Sequence, residues 1–224
     1  LKFQYFTEAP VINTLIALET GHSVDPSIPD RDRAMAQDVL RFLNIGAVVV
    51  HPNEAGDAVV RYVEDVLAAE KVYEGSSAIA YQVTPPPWPK SWTIGPGEEL
   101  ARLSFAEGWG VPANGMVWAQ RRAARLLVPL GRSGKVLQFR AYAPGDGQRM
   151  TVEINEHKLD PQVMSQGWRE YELAVPAEAV QEGLNEVWFR FSDLVPAEQV
   201  QVSPRDVGRT GVAAPVNLVV QSAG

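Results

Sequence analysis

Apolar and polar residues alternate through most of the chain after residue 99, which is the pattern of strands that bury one face. The clearest run lies at 185–191, where Val187, Phe189 and Phe191 share one side. The pattern predicts strands at 100–105, 116–119, 124–128, 136–143, 150–155, 169–175, 185–191 and 214–220, and a helical turn at 176–180. Short strands separated by Gly, Pro and Asn turns indicate an antiparallel β-sandwich or jelly roll.

The first 84 residues show helical periodicity that alternates with short apolar runs, which indicates a small α/β unit. A predicted helix ends near Gly46, and the β-branched run at 47–50 is continuously apolar, so it predicts a buried strand. A second amphipathic helix and a hairpin at 72–83 follow. Residues 1–28 predict an extended lead-in with one short helix.

A proline-rich segment, TPPPWPKSW, separates these two patterns. Proline fixes φ and cannot continue a β-ladder, so the segment is predicted to be an extended spacer. We therefore predict an α+β chain with a small α/β domain at residues 1–84, a linker at 85–99 and an antiparallel β-sandwich at 100–224.

Composition narrows the classes of function. Apolar residues make up 46% of the 224 residues, which is enough for a folded core. The net charge of −7 argues against a nucleic-acid partner, which requires a basic surface. The absence of cysteine excludes disulfides, thiolate catalysis and zinc–thiolate sites. No stretch approaches the ~20 apolar residues of a membrane span, and no signal peptide is visible.

Three segments combine an alternating apolar run with Gly, Asn or Pro at its end: VEIN at 152–155, GWREYELAVP at 167–176 and GLNEV at 183–187. Together they resemble the galactose-binding-like jelly roll found in carbohydrate-binding modules and in extracytoplasmic tails of bacterial membrane proteins. Turn chemistry also explains part of the pattern, because asparagine tolerates left-handed turns and bonds nearby backbone. We therefore predict that Asn155 and Asn185 clamp strand ends.

The α/β part contains FLNIGAVVVHP followed by KVYEGSSAIAYQV. This order resembles the soluble tail of polytopic membrane glycosyltransferase-like proteins, and the two resemblances cover about residues 31–220. They imply that transmembrane helices precede Leu1 in a longer protein. They also imply a location on the extracytoplasmic face of a bacterial membrane.

Aromatic side chains are the candidate ligand contacts, because sugar rings stack on tryptophan while polar groups fix their orientation. We predict that Trp109, Trp118 and Trp168 contact a carbohydrate and that Arg121 and Arg205 donate hydrogen bonds to it. Fold maintenance is the alternative for the tryptophans, since large aromatic residues mostly contribute burial.

No catalytic residue and no cofactor are predicted. The three histidines lie in unrelated segments, and the chain has neither a phosphate-binding glycine loop nor a G-x-S-x-G motif. Asp146 and Asp160 could help to hold a structural Ca²⁺, which prefers oxygen ligands from loops.

The sequence thus predicts the non-catalytic extracytoplasmic region of a membrane glycosyltransferase-like protein that binds or positions a carbohydrate. Its expected partners are a glycan or polysaccharide and its own upstream membrane domain. Two alternatives remain open. One is a structural or protein-interaction tail without a ligand site. The other is a glycoside-active enzyme, which needs two carboxyl groups facing each other across a cleft.

Overall fold

The computed structural model describes residues 7–112, 115–132 and 136–194, and the backbone of Ala213–Ala214 and Leu218–Gln221. The described residues fall into two compact units, one before and one after the Pro87–Trp88 bond. Within these residues, no helix combines the length and the apolar composition needed to span a membrane.

The first unit contains helices and a small antiparallel sheet. The helices are α1 (Ile12–Glu19), α2 (Ile28–Phe42) and α3 (Pro52–Val66), and the strands are β1 (Ala47–Val50), β2 (Glu70–Glu74) and β3 (Ile79–Gln82). The sheet has the order β1-β3-β2. The predicted succession of helix, strand, helix and hairpin is therefore confirmed.

The prediction that the strand at 47–50 is buried is wrong. Val50 is 4% exposed, but Val49 is 57% exposed. β1 pairs only with β3 and forms one edge of the sheet. One face of β1 therefore packs against the unit while the other meets solvent.

A buried carboxylate connects the three helices of the first unit. Asp32 on α2 is 0% exposed and accepts hydrogen bonds of 2.5 Å from the hydroxyls of Thr14 on α1 and Tyr62 on α3. The guanidinium of Arg31 donates to its other oxygen at 2.8 and 3.1 Å. Burial, together with the bond to Asp32, raises the pKa of the Tyr62 hydroxyl well above its ordinary value.

The second unit is built from two antiparallel sheets. Its elements are β4 (Trp92–Ile94), α4 (Ala101–Ser104), β5 (Val117–Trp118), β6 (Ala123–Leu130), β7 (Val136–Ala143), β8 (Gln148–Ile154), β9 (His157–Lys158), β10 (Gln162–Met164), β11 (Gly167–Ala174), a 3₁₀ turn (Ala177–Ala179), β12 (Gly183–Phe191), β13 (Ala213–Ala214) and β14 (Leu218–Gln221). The β12 sheet has the order β10-β8-β12-β6, with β9 beside β8. The β7 sheet has the order β4-β14-β7-β13-β5. β11 is also part of this sheet and pairs with the whole length of β7.

The core of this unit lies between the inner faces of the two sheets. Alternate residues of β7, β8 and β12 are buried, including Phe139, Val152 and Phe189. Phe139 of one sheet and Phe189 of the other meet edge to face, with ring centroids 5.3 Å apart. The predicted α+β fold with a β-sandwich is confirmed.

The strand predicted at 100–105 is wrong. Ala101–Ser104 form the short helix α4, and the amide of Phe105 donates to the Ala101 carbonyl at 3.1 Å. Ala101, Leu103 and Ser104 are all buried. The segment is therefore apolar because most of its side chains are buried, and not because a strand alternates between core and solvent. The short strands β4, β9 and β10 were not predicted.

Asparagine side chains close the strand ends as the sequence predicts. Asn155 Nδ2 donates to Asn185 Oδ1 at 2.6 Å and to the Ala179 carbonyl at 2.9 Å, while its Oδ1 accepts the Glu186 amide at 2.9 Å. Asn185 is 0% exposed and donates to the Gly183 carbonyl at 3.0 Å. The two amides therefore join the β8–β9 turn to the start of β12.

Candidate functional site

Three aromatic residues form one row across the β7 sheet. Trp168 on β11 lies opposite Tyr142 on β7. Tyr142 lies opposite Ala213 on β13, and Ala213 lies opposite Trp118 on β5. Directly opposite residues of antiparallel strands share a face of the sheet. The register therefore places Trp118, Tyr142 and Trp168 on one face, in a line perpendicular to the strands.

This row lies on the outer face of the sandwich. Ala141 and Ala143, which flank Tyr142, are 2% and 0% exposed and belong to the core between the sheets. Because side chains alternate along a strand, Tyr142 and Arg140 point away from that core. Tyr142 and Trp168 are partly exposed, whereas Trp118 is 8% exposed.

The rings of the row support one another through edge contacts. The centroids of Trp118 and Tyr142 are 6.4 Å apart with planes at 72°, and those of Tyr142 and Trp168 are 5.5 Å apart with planes at 61°. Such edge-to-face geometry fixes ring orientation and adds about 0.5–1.5 kcal/mol per pair beyond burial. Trp118 is therefore a buried support, and Trp168 presents the accessible end of the row.

Polar groups lie beside the aromatic row. The Arg140 guanidinium carbon is 5.1 Å from the centroid of the Trp168 ring. Arg140 lies opposite Glu170, and in the next row Gln138 Nε2 donates to Glu172 Oε2 at 2.7 Å. Among the described residues, no carboxylate lies within ion-pair distance of Arg140. The outer face thus has an aromatic platform at Tyr142 and Trp168, with a donor and an acceptor, Arg140 and Glu170, in the next row of the same face.

Trp109, which was predicted as a ligand contact, lies in the core. It is 2% exposed, and its Nε1 donates to the Arg125 carbonyl at 2.8 Å. Its ring meets Phe105 and Phe189 edge to face at 5.9 and 5.8 Å. With its ring covered by these neighbours, Trp109 stabilises the sandwich and is not available to a ligand.

The other predicted contacts divide between the row and its surroundings. Trp118 and Trp168 both belong to the row, although only Trp168 is accessible. Arg121 is exposed on the segment between β5 and β6 and takes no part in the ring contacts. Arg205 lies outside the described residues.

Sequence reasoning missed Tyr142 and Arg140. Both occupy outward positions of the strand predicted at 136–143. The available signal was an aromatic and a cationic residue two positions apart on its solvent face. That signal acquires meaning only when β7 is placed beside β11, because the pairing register brings Tyr142 to Trp168.

Another tryptophan, Trp188, lies on the outer face of the β12 sheet next to two arginines. The guanidinium carbons of Arg125 and Arg190 each lie 5.3 Å from the centroid of the Trp188 ring. Arg125 donates to Glu107 at 2.6 Å through two nitrogens and to Glu186 at 2.6 Å. Trp188 is therefore part of a closed network of cations and carboxylates.

The carboxylates of this network serve as partners of arginine. Burial alone would raise the pKa of the Glu107 carboxyl, but the hydrogen bonds from Arg125 outweigh it and hold that pKa below its ordinary value. Glu153 likewise accepts from Arg190 Nε at 3.1 Å. These carboxylates therefore serve as structural partners of Arg125 and Arg190.

No group of three or more His, Asp or Glu side chains in the described part of the chain is arranged to hold a metal ion. Asp146, one of the two residues considered for Ca²⁺, accepts the amide of Gln166 at 2.8 Å and so closes the entry to β11. The carbonyl of Asp160 accepts from the Gln162 side chain at 2.9 Å.

No protein-family model matches the chain, and no curated protein matches it. Solved structures similar to it include the Podospora anserina GH26-CBM35 β-(1,4)-mannanase, with 11% identity and a TM-score of 0.36 over 60% of this chain and 28% of that chain. A family 35 carbohydrate binding module from an environmental isolate has 13% identity and a TM-score of 0.38 over 59% of this chain and 98% of that one. The C-terminal family 6 module of LamC from Zobellia galactanivorans has 12% identity and a TM-score of 0.37 over 58% and 99%.

Proposed function

We propose that the second unit binds carbohydrate on the outer face of the β7 sheet. The observation that carries this proposal is the row of Trp118, Tyr142 and Trp168, with the Arg140 guanidinium over the Trp168 ring. A pyranose ring has apolar C–H faces and a rim of hydroxyls, so it needs an aromatic platform next to hydrogen-bonding groups. The aromatic row supplies the platform, and Arg140 and Glu170 in the next row of the same face supply the hydrogen-bonding groups.

Each part of the row has a distinct role in this proposal. Trp168 provides the stacking surface, and Tyr142 fixes its ring with Trp118 behind it. Arg140 donates hydrogen bonds to sugar oxygens, and Glu170 opposite it accepts from sugar hydroxyls. Binding is non-catalytic, since the roles of these side chains are stacking and hydrogen bonding.

The wider context of the proposal comes from the sequence resemblance described above. We propose that the chain is the extracytoplasmic region of a bacterial membrane glycosyltransferase-like protein. There the sandwich would hold a glycan or the growing polymer near the upstream membrane domain. Reconstitution of the full-length protein with its membrane segment, followed by protease protection, tests this location directly.

The ligand proposal is tested by a glycan-array screen of the protein beside Trp168→Ala and Trp188→Ala. Trp188 is a matched control, because it is also a partly exposed tryptophan on an outer sheet face but has two arginines at its ring where Trp168 has one. We expect binding to be lost in Trp168→Ala and kept in Trp188→Ala, with circular dichroism unchanged in both. A wild-type protein that binds no glycan would overturn the function, and equal loss in both variants would overturn the site.

A further inference from the structure

The edge strand β1 of the first unit has four residues and carries no charge, proline or bulge. Natural edge strands carry charges, prolines or bulges that prevent pairing with another chain. The sequence of β1 is AVVV, which contains none of these, and its pairing with β3 is regular. The described residues place no strand on its outer side.

The opposite edge of the same sheet is protected. β2 contains Glu70, Lys71 and Glu74, and its register shifts between Lys71 and Tyr73. Lys71 Nζ lies 2.9 Å from Glu64 and 3.3 Å from Glu74. β2 is charged and irregular, whereas β1, at the opposite edge of the sheet, is uncharged and regular, so β1 is the edge better suited to pairing.

The face next to this edge carries exposed apolar side chains. Val49 on β1 and Tyr73 on β2 both lie opposite Ala80 of β3, so they share a face of the sheet. Val49 is 57% exposed and Tyr73 is 59% exposed. An added strand would extend this face, and its apolar side chains would pack beside Val49.

The charge of the first unit identifies the kind of strand that fits. Residues 3–87 contain five Lys and Arg against twelve Asp and Glu, so this segment alone accounts for the net charge of −7. Glu54 and Asp57 are exposed just after the end of β1. Among the described residues, neither of these two carboxylates has a basic partner.

We propose that β1 accepts an extended strand from a partner protein, in which apolar residues alternate with Lys or Arg. Main-chain hydrogen bonds to β1 supply affinity, and the side chains supply selectivity. The apolar residues cover Val49, and the basic ones are attracted to the acidic surroundings. A second copy of the chain fits less well, since its first unit would bring the same negative charge.

The test uses fluorescence anisotropy of the labelled synthetic peptide KVKVKVK with the full chain. KGKGKGK has the same charge but little strand propensity, and EVEVEVE has the opposite charge. The variants are Val49→Lys, its matched control Val163→Lys, which changes a valine that is 64% exposed on the edge strand β10, and Glu54→Lys. Because Val49 and Glu54 are exposed, these substitutions leave the folded unit intact, which circular dichroism verifies.

We expect KVKVKVK to bind at one site and both comparison peptides to bind at least ten times more weakly. Val49→Lys and Glu54→Lys should each raise the Kd for KVKVKVK at least several-fold, and Val163→Lys should not. Equal binding of KGKGKGK, equal binding by Val49→Lys, or no binding of KVKVKVK would overturn the proposal. Self-association of the wild-type chain that Val49→Lys abolishes would also overturn it, in favour of a second copy.

Discussion

Tyr142 and Trp168 lie directly opposite each other on β7 and β11, with ring centroids 5.5 Å apart and planes at 61°. The Tyr142 ring therefore braces the Trp168 ring from the side and leaves the ring's position defined before any ligand arrives. Preorganised contacts of this kind raise affinity by reducing the entropy lost on binding. The pair is the part of the proposed carbohydrate site that the sheet itself constructs.

Replacing Tyr142 by alanine should weaken glycan binding about tenfold, which corresponds to about 1.4 kcal/mol, because Trp168 loses its support. Tyr142→Phe keeps the ring and should bind nearly as wild type does. Isothermal titration with a glycan selected on the array measures both. Arg121→Ala, which changes an exposed arginine outside the row, is the control. Equal affinities of wild type and Tyr142→Ala would contradict the supporting role.

Trp109→Ala should lower the free energy of unfolding of the second unit by about 3–5 kcal/mol, because it leaves a large cavity in the core. The lost hydrogen bond to the Arg125 carbonyl adds to this cost. Urea denaturation followed by far-UV circular dichroism measures the change. Trp168→Ala, at a partly exposed position, should cost much less. Comparable losses in the two variants would be inconsistent with the buried position of Trp109.

Glu156→Gly should stabilise the second unit by about 1 kcal/mol. Glu156 has a φ of 73° in the turn between β8 and β9, a left-handed conformation that costs a residue with a Cβ roughly 1–2 kcal/mol. Asn-Gly is the preferred pair in such hairpin turns, and Asn155 already occupies the first position with a φ of 45°. Thermal unfolding provides the comparison. Glu178→Gly, at an exposed position outside the left-handed region, should instead be neutral or destabilising.

The first unit should lose stability as pH rises above about 10. Burial raises the pKa of the folded Tyr62 hydroxyl above its ordinary value of 10.0, so the folded chain keeps a proton that the unfolded chain releases. The stabilisation is complete below pH 10 and declines above it, with a slope of up to about 1.4 kcal/mol per pH unit.

Tyr62→Phe should remove this slope, at a cost near neutral pH of about 1–3 kcal/mol, because Asp32 loses one donor. Tyr81→Phe is the control for a second tyrosine whose pKa is raised in the same unit, by burial and then by its bond to Glu64. Unfolding of the first unit, measured by urea titration between pH 8 and pH 11, separates the two tyrosines. An unchanged slope in Tyr62→Phe would rule out the proton on Tyr62 as its source.

Local sequence patterns predicted many of the strands and turns, but they could not predict which distant strands pair. The alternation at 136–143 gave β7 with its correct bounds, because one side of that strand faces the core. Asn155 was predictable as a clamp, because left-handed turn chemistry acts over a few residues. The run at 100–105 was misread, since a short apolar segment suits a buried helix as well as a strand.

The candidate site depended on information that a single sequence does not contain. Trp109 follows Gly108 in a segment that reads as a loop, yet Gly108 has a φ of 84° and packs so closely that a Cβ would lie 2.2 Å from the Ala123 carbonyl oxygen. That close approach of two backbones fixes the path of the chain immediately before Trp109, which lies in the core. The partnership of Tyr142 with Trp168 likewise depends on register, and a shift of one residue would turn Tyr142 inward.

The aromatic row draws on strands whose residues range from Trp118 to Ala213 in the sequence, although it spans only four neighbouring strands in space. Because its members come from such distant positions, the row forms only after β5, β13, β7 and β11 have paired. A ligand held there recognises the assembled β7 sheet and not the unfolded chain, so it should raise the midpoint of unfolding of the sandwich. Retention on a glycan column would then separate fully folded molecules from misfolded ones during purification.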